Sequence, residues 1–306
     1  MRPKARAASA IALTLALAGP LAPVTAQAMP MTQARTAGSS QTVSTARVLT
    51  IPGTVNARDT GGYRTYDGRT TRWGALYRSE SLAKIPPDGV TALGNLNLGS
   101  VIDLRTPTEV QADGTDRLPT GVPSVPQPVD DTSLFAFIGQ VVRSKDPVYQ
   151  QAMLGDGKAE ERMRTLYRGF VTNSANRAAL GAAIRTVANS TKPVLFHCSA
   201  GKDRTGALAD TILRAVGVPA TTSESDYLLS NQLRAASDQA LRDQLKAAGY
   251  MQNPDLLIPL QEVRSDYLAA FRDQAVHDYG SFGAFLTDGL GLDVSTLTRL
   301  RDRLVG

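Results

Sequence analysis

The segment VLFHCSAGKDRTGALAD, from Val194 to Asp210, constrains the fold more than any other part of the sequence. Its apolar start, residues 194–196, has the pattern of a buried parallel strand. After a short polar loop, one face of a helix is formed by Leu208, Ile212 and Ala215. Gly217 ends that helix. The loop therefore joins the carboxyl end of a strand to the amino end of a helix, the position at which α/β proteins bind ligands.

The loop itself has the chemistry of an anion site. Backbone N–H groups of the loop and of the first helical turn point into one concavity, where the helix dipole also attracts negative charge. Gly201 and Gly206 are expected to let the backbone approach the anion closely. Arg204 adds a planar pair of donors suited to phosphate. The predicted phosphate-binding residues are Ser199, Ala200, Gly201, Lys202, Asp203 and Arg204.

Cys198, the only cysteine among 306 residues, directly precedes this anion site. The field that attracts an anion also favours a thiolate over a thiol. A thiolate beside a bound phosphate predicts transfer of a phosphoryl group to sulfur. Thr205 is expected to donate its hydroxyl to this thiolate, and His197 to hold the loop through its ring nitrogens.

Other classes of function fit this pattern less well. A non-catalytic phosphate-binding module is an alternative, although it would not need Cys198, Asp203 and Arg204 together. A thiol redox protein needs a second thiol to resolve a disulfide, and the chain has none. Two histidines without clustered ligand spacing argue against a metal hydrolase, so neither a metal nor another cofactor is expected.

The N-terminal segment, residues 1–28, predicts a secretory signal peptide. Three cations precede an apolar run too short to span a bilayer, and small residues flank Gln27 before a predicted cleavage after Ala28. Without this segment, 30 of the 33 basic residues remain against 28 acidic ones, so the basic character does not predict a nucleic-acid partner. We expect a flexible leader over residues 29–46 and a secreted protein without a stable membrane anchor.

Residues 47–306 predict one α/β domain. A second apolar run, residues 101–104, predicts another buried parallel strand, and Pro107 marks the start of a helix. Residues 111–147 are rich in Pro, Gly and Asp and predict long loops. Helices are predicted over residues 160–170 and 174–188 and over most of the chain after Ser223. The weakly apolar segments between residues 231 and 249 predict either a packed bundle or a mobile helical cover over a site.

HCSAGKDRTG resembles the signature of the cysteine-dependent protein tyrosine phosphatases, and Lys202 and Asp203 narrow the resemblance to the bacterial secreted tyrosine phosphatases. Four further segments carry it, and together they extend the resemblance over about residues 49–231. These segments are NARDTGG (56–62), LYRSESL (76–82), VIDLRTPTE (101–109) and SDYLLSN (225–231).

The resemblance implies a cysteine-dependent phosphatase fold, with a central, mainly parallel sheet flanked by helices and a C-terminal helical cover. Cys198 would attack phosphorus and form a phosphocysteine, while Arg204 would bind the equatorial oxygens. Asp203 is the implied acid for the leaving oxygen, and Asp103, at a neighbouring strand end, is its rival. The W-P-D sequence of many tyrosine phosphatases is missing, because Trp73 is followed by Gly74.

The implied activity is hydrolysis of phosphotyrosine in proteins, extending to phosphoserine and phosphothreonine. A phosphoinositide is the alternative substrate, because Lys202 adds a second cation to the loop. NARDTGG taken alone is a turn signal. Arg58 and Asp59 within it are expected to brace the catalytic loop through an ion pair.

Overall fold

A five-stranded sheet forms the centre of the protein. The computed structural model describes residues 47–306, so the predicted signal peptide and leader lie outside the described residues. The strand order is β1-β2-β5-β3-β4, with β1 antiparallel to β2 and the other pairs parallel. The strands are β1 (Arg58–Asp59), β2 (Leu76–Ser79), β3 (Ser100–Asp103), β4 (Ser124–Pro126) and β5 (Val194–His197). The predicted α/β fold with a mainly parallel sheet is confirmed.

Helices cover both faces of this sheet. The helices before β5 are α1 (Pro87–Gly94), α2 (Pro107–Asp113), α3 (Leu134–Ser144), α4 (Pro147–Leu154), α5 (Lys158–Thr172) and α6 (Ser174–Asn189). Those after β5 are α7 (Arg204–Ala215), α8 (Ala220–Ala247), α9 (Ile258–Gln261), α10 (Ser265–Tyr279), α11 (Phe282–Ala284) and α12 (Val294–Leu304). A 3-10 turn (Pro254–Leu257) precedes α9, and a π-helical turn (Phe285–Gly289) follows α11. Among residues 47–306, no helix is both long and apolar enough to cross a bilayer.

The central strand β5 explains how the two hydrophobic cores form. All four of its residues are buried, as a parallel strand covered on both faces requires. Successive side chains alternate between faces. Phe196 therefore packs into the larger core with helices α5, α6 and α7, whereas Leu195 packs into a smaller core with Val101 and Leu93.

The register of the sheet places three polar residues at one edge. His197 ends β5 and is paired with Ser79 of β2 on one side and Asp103 of β3 on the other. The carboxyl ends of these parallel strands therefore lie at the same level. The loop that follows His197 enters α7 directly above them.

One prediction for the segment between β3 and β5 was wrong. Residues 111–147 include β4 and the eleven-residue helix α3 rather than long loops alone. Leu134, Val141 and Val142 are buried along one face of α3, a pattern masked by the Gly and Pro of its flanks. Farther along the chain, the weakly apolar segments between residues 231 and 249 belong mostly to one continuous helix, α8, of 28 residues.

Candidate active site

The loop from Ser199 to Asp203 lies against the end of β2. Gly201 has φ +67°, and a Cβ atom there would lie 2.5 Å from the backbone of Ser79 and Glu80. A Cβ atom at Gly206 would lie 2.7 Å from the ring of Tyr227. A side chain at either glycine would therefore collide with neighbouring protein atoms. This close approach is to other parts of the protein, whereas the sequence predicted a close approach to an anion.

Cys198 precedes this loop and Thr205 lies in the first turn of α7, and no hydrogen bond joins the two side chains. Cys198 is 2% exposed and directly follows β5. The hydroxyl of Thr205 is buried and has no hydrogen-bond partner among the described residues, so the predicted bond to Cys198 is absent from this state. A buried hydroxyl without a partner carries a desolvation cost, which a ligand or the thiolate would relieve.

Arg204 is held by a carboxylate that the sequence interpretation missed. Its Nη1 donates to Oε2 of Glu109 at 2.6 Å, and its Nη2 donates to Oε1 at 2.5 Å. Nη1 also donates to the carbonyls of Leu104 and Val129, both at 3.3 Å. Burial opposes ionisation of Glu109, but the hydrogen bonds and charge of Arg204 lower the pKa of Glu109 to about 2. The buried pair is therefore fully charged at neutral pH.

This pairing leaves one edge of the Arg204 guanidinium for a ligand. Glu109 occupies the edge formed by the two terminal nitrogens. Within residues 47–306, the hydrogen bonds of the Arg204 side chain are made by Nη1 and Nη2 alone, and Nη2 uses only one of its two hydrogens. The edge formed by Nε and Nη2 has the geometry that binds two phosphate oxygens at once.

Glu109 also connects helix α2 to the loop. Thr106 caps α2, and Glu109 completes a capping box by accepting from the Thr106 backbone at 2.8 Å. Ser199 donates its hydroxyl to Oε1 of Glu109 at 2.5 Å. The T-x-x-E spacing in the sequence signals the capping box, but nothing in that spacing signals the contact with Arg204.

Asp203 and Lys202 form an ion pair within the loop. Nζ of Lys202 donates to both carboxylate oxygens of Asp203 at 2.9 Å, and its side chain is 4% exposed. Tyr167 of α5 donates its hydroxyl to Oδ1 of Asp203 at 2.9 Å. Asp203 precedes α7 but makes no capping hydrogen bond. In this state Lys202, which was predicted to bind phosphate, is instead engaged by Asp203.

Asp103 belongs to a separate network below the loop. Arg105 donates to Asp103 at 2.8 Å and to Asp116 at 2.9 Å. His197 places Nε2 2.8 Å from Asp116 and Nδ1 3.1 Å from the Cys198 carbonyl. Burial opposes ionisation of Asp116, but the hydrogen bond and charge of His197 lower its pKa.

The same network has the spacing of a metal site. Ligand atoms of Asp103, Asp116 and His197 lie within 4.8 Å of one another. However, the guanidinium of Arg105 already bonds to both carboxylates and supplies the positive charge there. The arrangement fits an ion-pair network that holds His197 against the catalytic loop.

The predicted ion pair between Arg58 and Asp59 is wrong. The two are consecutive in β1, so their side chains point to opposite faces of the sheet. Arg58 instead pairs with Asp226 of α8 at 3.0 Å. The Asp59 carboxylate accepts from the backbone N–H groups of Gly61 and Gly74, each at 2.7 Å.

Other residues brace the loop instead. Asp226 also pairs with the fully buried Arg78 at 2.7 Å, and Arg78 donates to the carbonyl of Gly201 at 3.0 Å. The side-chain amide of Asn56 donates to the same carbonyl at 3.0 Å. NARDTGG and LYRSESL therefore both support the loop, through Asn56 and Arg78.

The C-terminal helices lie over the loop. Arg234 of α8 donates to the carbonyl of Ala200 at 3.2 Å, and Lys202 contacts the carbonyl of Glu262 at 3.4 Å. Asn231 connects α8 to Val263 through two hydrogen bonds of 2.7 and 2.8 Å. The start of this segment therefore lies over the loop, as a helical cover would, and the mobility of that cover stays a prediction.

Comparisons with known proteins show the family to which the chain belongs. The tyrosine phosphatase family matches residues 49–306. The triple specificity protein phosphatase PtpB of Mycobacterium tuberculosis is 30% identical over 288 residues, covering 85% of this chain and 99% of the relative. A putative tyrosine-protein phosphatase of Cupriavidus necator is 33% identical over 245 residues, covering 79% and 84%.

A solved structure was also found, that of Pseudomonas aeruginosa TpbA in complex with phosphotyrosine. It is 19% identical and covers 66% of this chain and 86% of its own, with a TM-score of 0.21, too low to support a detailed comparison. The family match covers nearly all of the described residues and includes the loop that follows β5. The chain belongs to the tyrosine phosphatase family and is similar to the bacterial PtpB-like members.

Proposed function

We propose that the protein hydrolyses phosphotyrosine, and phosphoserine and phosphothreonine as well, through a phosphocysteine intermediate. One observation carries the proposal: Cys198 directly follows β5 and Arg204 begins α7, so the two flank one five-residue loop, and Nε of Arg204 is not used in the hydrogen bonds that hold its guanidinium. Such a site binds a phosphate and places a nucleophilic sulfur beside it. Family membership supports the same reaction.

In the first step, Cys198 is a thiolate and the phosphoryl oxygens accept hydrogen bonds from the loop and from Arg204. The sulfur attacks phosphorus, and the S–P bond forms as the bond to the phenolic oxygen breaks. Asp203, in its protonated form, gives its proton to that oxygen. A tyrosine leaving group has a pKa of about 10, so this proton is needed in the transition state.

In the second step, Asp203 reverses its role. Now a carboxylate, it takes a proton from the attacking water. The water oxygen bonds to phosphorus, the S–P bond breaks, and Cys198 leaves as a thiolate. Inorganic phosphate and the original enzyme result, with Asp203 again protonated.

Lys202 connects phosphate binding to the acid. Its ammonium holds both oxygens of Asp203 in the state described. A phosphate dianion in the loop offers Lys202 a second anion close by. When Lys202 turns towards the phosphate, one oxygen of Asp203 is free to carry the proton that the first step requires.

The substrate class is tested by phosphate release from three kinds of substrate. These are a phosphotyrosine peptide, a phosphoserine peptide and a phosphoinositide in mixed micelles, each with Cys198→Ser as the control. The proposal predicts the highest kcat/KM for the phosphotyrosine peptide and no release by the variant. A preference for the phosphoinositide would assign the alternative substrate, and release by Cys198→Ser would reject the mechanism.

We also propose that the protein is exported and acts outside the cytoplasm of the cell that produces it. The support is the composition of residues 1–28, with cations, a short apolar run and small residues before the predicted cleavage point. N-terminal sequencing of the protein recovered outside the cytoplasm tests this. A start near residue 29 would support export, and retention of the full chain in the cytoplasm would reject it.

A further inference from the structure

A pocket of about 480 Å³ lies between α4 and α5. Three- and four-residue steps separate the lining residues that α5 contributes, so they share one face of the helix: Lys158, Glu161, Arg162 and Thr165. Residues of α4 and Thr132, which lies between β4 and α3, complete the lining. None of these residues belongs to the catalytic loop, so the pocket is separate from the site described above.

Two cations of this pocket, Lys158 and Arg162, contact uncharged groups within residues 47–306. Nζ of Lys158 donates to the Ala152 carbonyl at 2.7 Å, which uses one of its three hydrogens. The Arg162 guanidinium lies over the ring of Phe137, with its central carbon 3.6 Å from the ring centroid. This contact occupies a face of the guanidinium, whereas its N–H donors lie along the edges. Both cations therefore retain donors for an anion.

The carboxylates near the pocket are engaged elsewhere. Glu161, which also lines the pocket, is bound by Arg164 at 2.9 Å and by Arg168 at 3.0 Å. Asp130 and Asp131, which precede α3, accept from backbone N–H groups at 3.0 and 2.8 Å. The two cations of the pocket are thus left without a carboxylate partner in the described part of the chain, and an anionic ligand would supply one.

The pocket is close to the catalytic loop along two elements. Thr132 lines the pocket, and the carbonyl of Val129, three positions earlier, accepts from Nη1 of Arg204 at 3.3 Å. Three residues of chain span at most about 11 Å. Helix α5 provides the second connection, because its Tyr167 contacts Asp203 in the loop. A substrate held at the loop therefore has the pocket within reach of its neighbouring residues.

We propose that Lys158 and Arg162 bind an acidic side chain of a phosphopeptide substrate, so that phosphotyrosine beside acidic residues is preferred. The inference rests on the proposed phosphatase function and names the kind of peptide that the same site selects. An extended peptide advances about 3.3–3.6 Å per residue, so an acidic residue three or four positions from the phosphotyrosine covers the distance. The guanidinium edge suits a carboxylate, which accepts two parallel hydrogen bonds.

Three phosphotyrosine peptides test this subsite. One has uncharged residues on both sides of the phosphotyrosine, one has acidic residues before it, and one has acidic residues after it. The measured quantity is kcat/KM for each acidic peptide divided by that for the uncharged peptide. The wild type is expected to prefer one of the acidic peptides, and raising the ionic strength should weaken that preference because salt screens exposed charges.

Arg162→Gln and Lys158→Gln remove the two charges one at a time. An ion pair at a partly exposed site contributes a modest free energy, so each variant is expected to lower the ratio about two- to fivefold. The double variant should lose most of the preference. Arg162→Lys keeps the charge and should retain more of the ratio than Arg162→Gln. Thermal unfolding verifies that each variant is folded under the assay conditions.

Lys192→Gln is the matched control. Lys192 is exposed and precedes β5, so it lies at the end of that strand opposite to Cys198. The substitution removes one positive charge from the protein, as Arg162→Gln does, but far from the pocket. The ratio should stay at the wild-type value.

The results distinguish this inference from the proposed function. A wild type that hydrolyses the uncharged peptide but prefers neither acidic peptide would reject the subsite and leave the phosphatase function in place. So would a preference that Arg162→Gln and Lys158→Gln retain, or one that Lys192→Gln reduces equally. A wild type that releases no phosphate from any peptide or from phenyl phosphate would reject the proposed function and the subsite together.

Discussion

Glu109 bonds to Arg204 through both carboxylate oxygens and accepts a third hydrogen bond from Ser199. One carboxylate thus holds both Arg204, the proposed phosphate-binding arginine, and Ser199, the first residue of the proposed catalytic loop. It also caps α2, so the position of that helix fixes the plane of the guanidinium. The ligand-facing edge of Arg204 is oriented before any phosphate binds, which lowers the cost of binding.

Replacing Glu109 with Gln tests this orientation. The amide loses the negative charge and turns an N–H donor towards a guanidinium that has only donors. Loss of one charge-assisted hydrogen bond predicts a fall of about 10- to 100-fold in kcat/KM for phenyl phosphate. Steady-state kinetics measure this fall, with Glu161→Gln on the exposed face of α5 as the control. A Glu109 variant within twofold of wild type would show that the loop alone orients Arg204.

The same carboxylate makes stability dependent on acid pH. The pKa of Glu109 is lowered to about 2 in the fold from an ordinary 4.5, so its contribution to stability is complete above the ordinary value and is lost as the pH falls towards 2. Linkage predicts that this group alone costs about 2 kcal/mol of unfolding free energy between about pH 6 and about pH 3. Urea unfolding at the two pH values should show a smaller loss for Glu109→Gln than for wild type. Equal losses would contradict the assignment.

Asp226 is predicted to be essential for stability. It neutralises two fully buried guanidinium groups, those of Arg58 and Arg78, and accepts from the hydroxyl of Tyr63 at 2.8 Å. Asp226→Asn leaves two buried cations without an anion, and breaking such a pair costs about 3–5 kcal/mol. Asp266→Asn is the control, because Asp266 forms an ion pair with Arg164 and its side chain is 51% exposed. Urea unfolding should show a change of at most about 1 kcal/mol for the control.

The two candidate acids make different predictions. Removing an acid slows poor leaving groups far more than good ones, typically by about 10²–10⁴-fold. Asp203→Asn should therefore slow phenyl phosphate hydrolysis much more than that of an activated nitrophenyl phosphate. Asp103 is bound by Arg105 within the His197 network, so Asp103→Asn should affect both substrates by similar factors. The opposite pattern would exchange the two roles.

Local patterns in the sequence were sufficient to predict the centre of the fold. The apolar run before Cys198 and the apolar face after it predicted β5 and α7, and the run around Ile102 predicted β3. These elements are recognisable because burial on a strand or on one helix face repeats with a short period. The helix α3 was missed because it is short and lies between segments rich in Gly, Pro and Asp.

The partners of the site residues were beyond local patterns. Glu109 and Arg204 are separated by 95 positions, and Tyr167 and Asp203 by 36. Which side chain fills such a position depends on how strands and helices pack, and sequence spacing does not encode it. For the same reason Arg58 was assigned to its neighbour Asp59, whereas its true partner, Asp226, lies on a helix 168 positions away.

Trapping of the covalent intermediate tests the central proposal most directly. The enzyme is mixed with phenyl phosphate, quenched in acid during turnover, digested and analysed by mass spectrometry, with Cys198→Ser as the control. We predict one added phosphoryl group on the peptide containing Cys198 and no phosphoryl group on the corresponding peptide of the Cys198→Ser variant. A phosphoryl group on another residue, or turnover without any phosphorylated peptide, would contradict the assignment of Cys198 as the nucleophile.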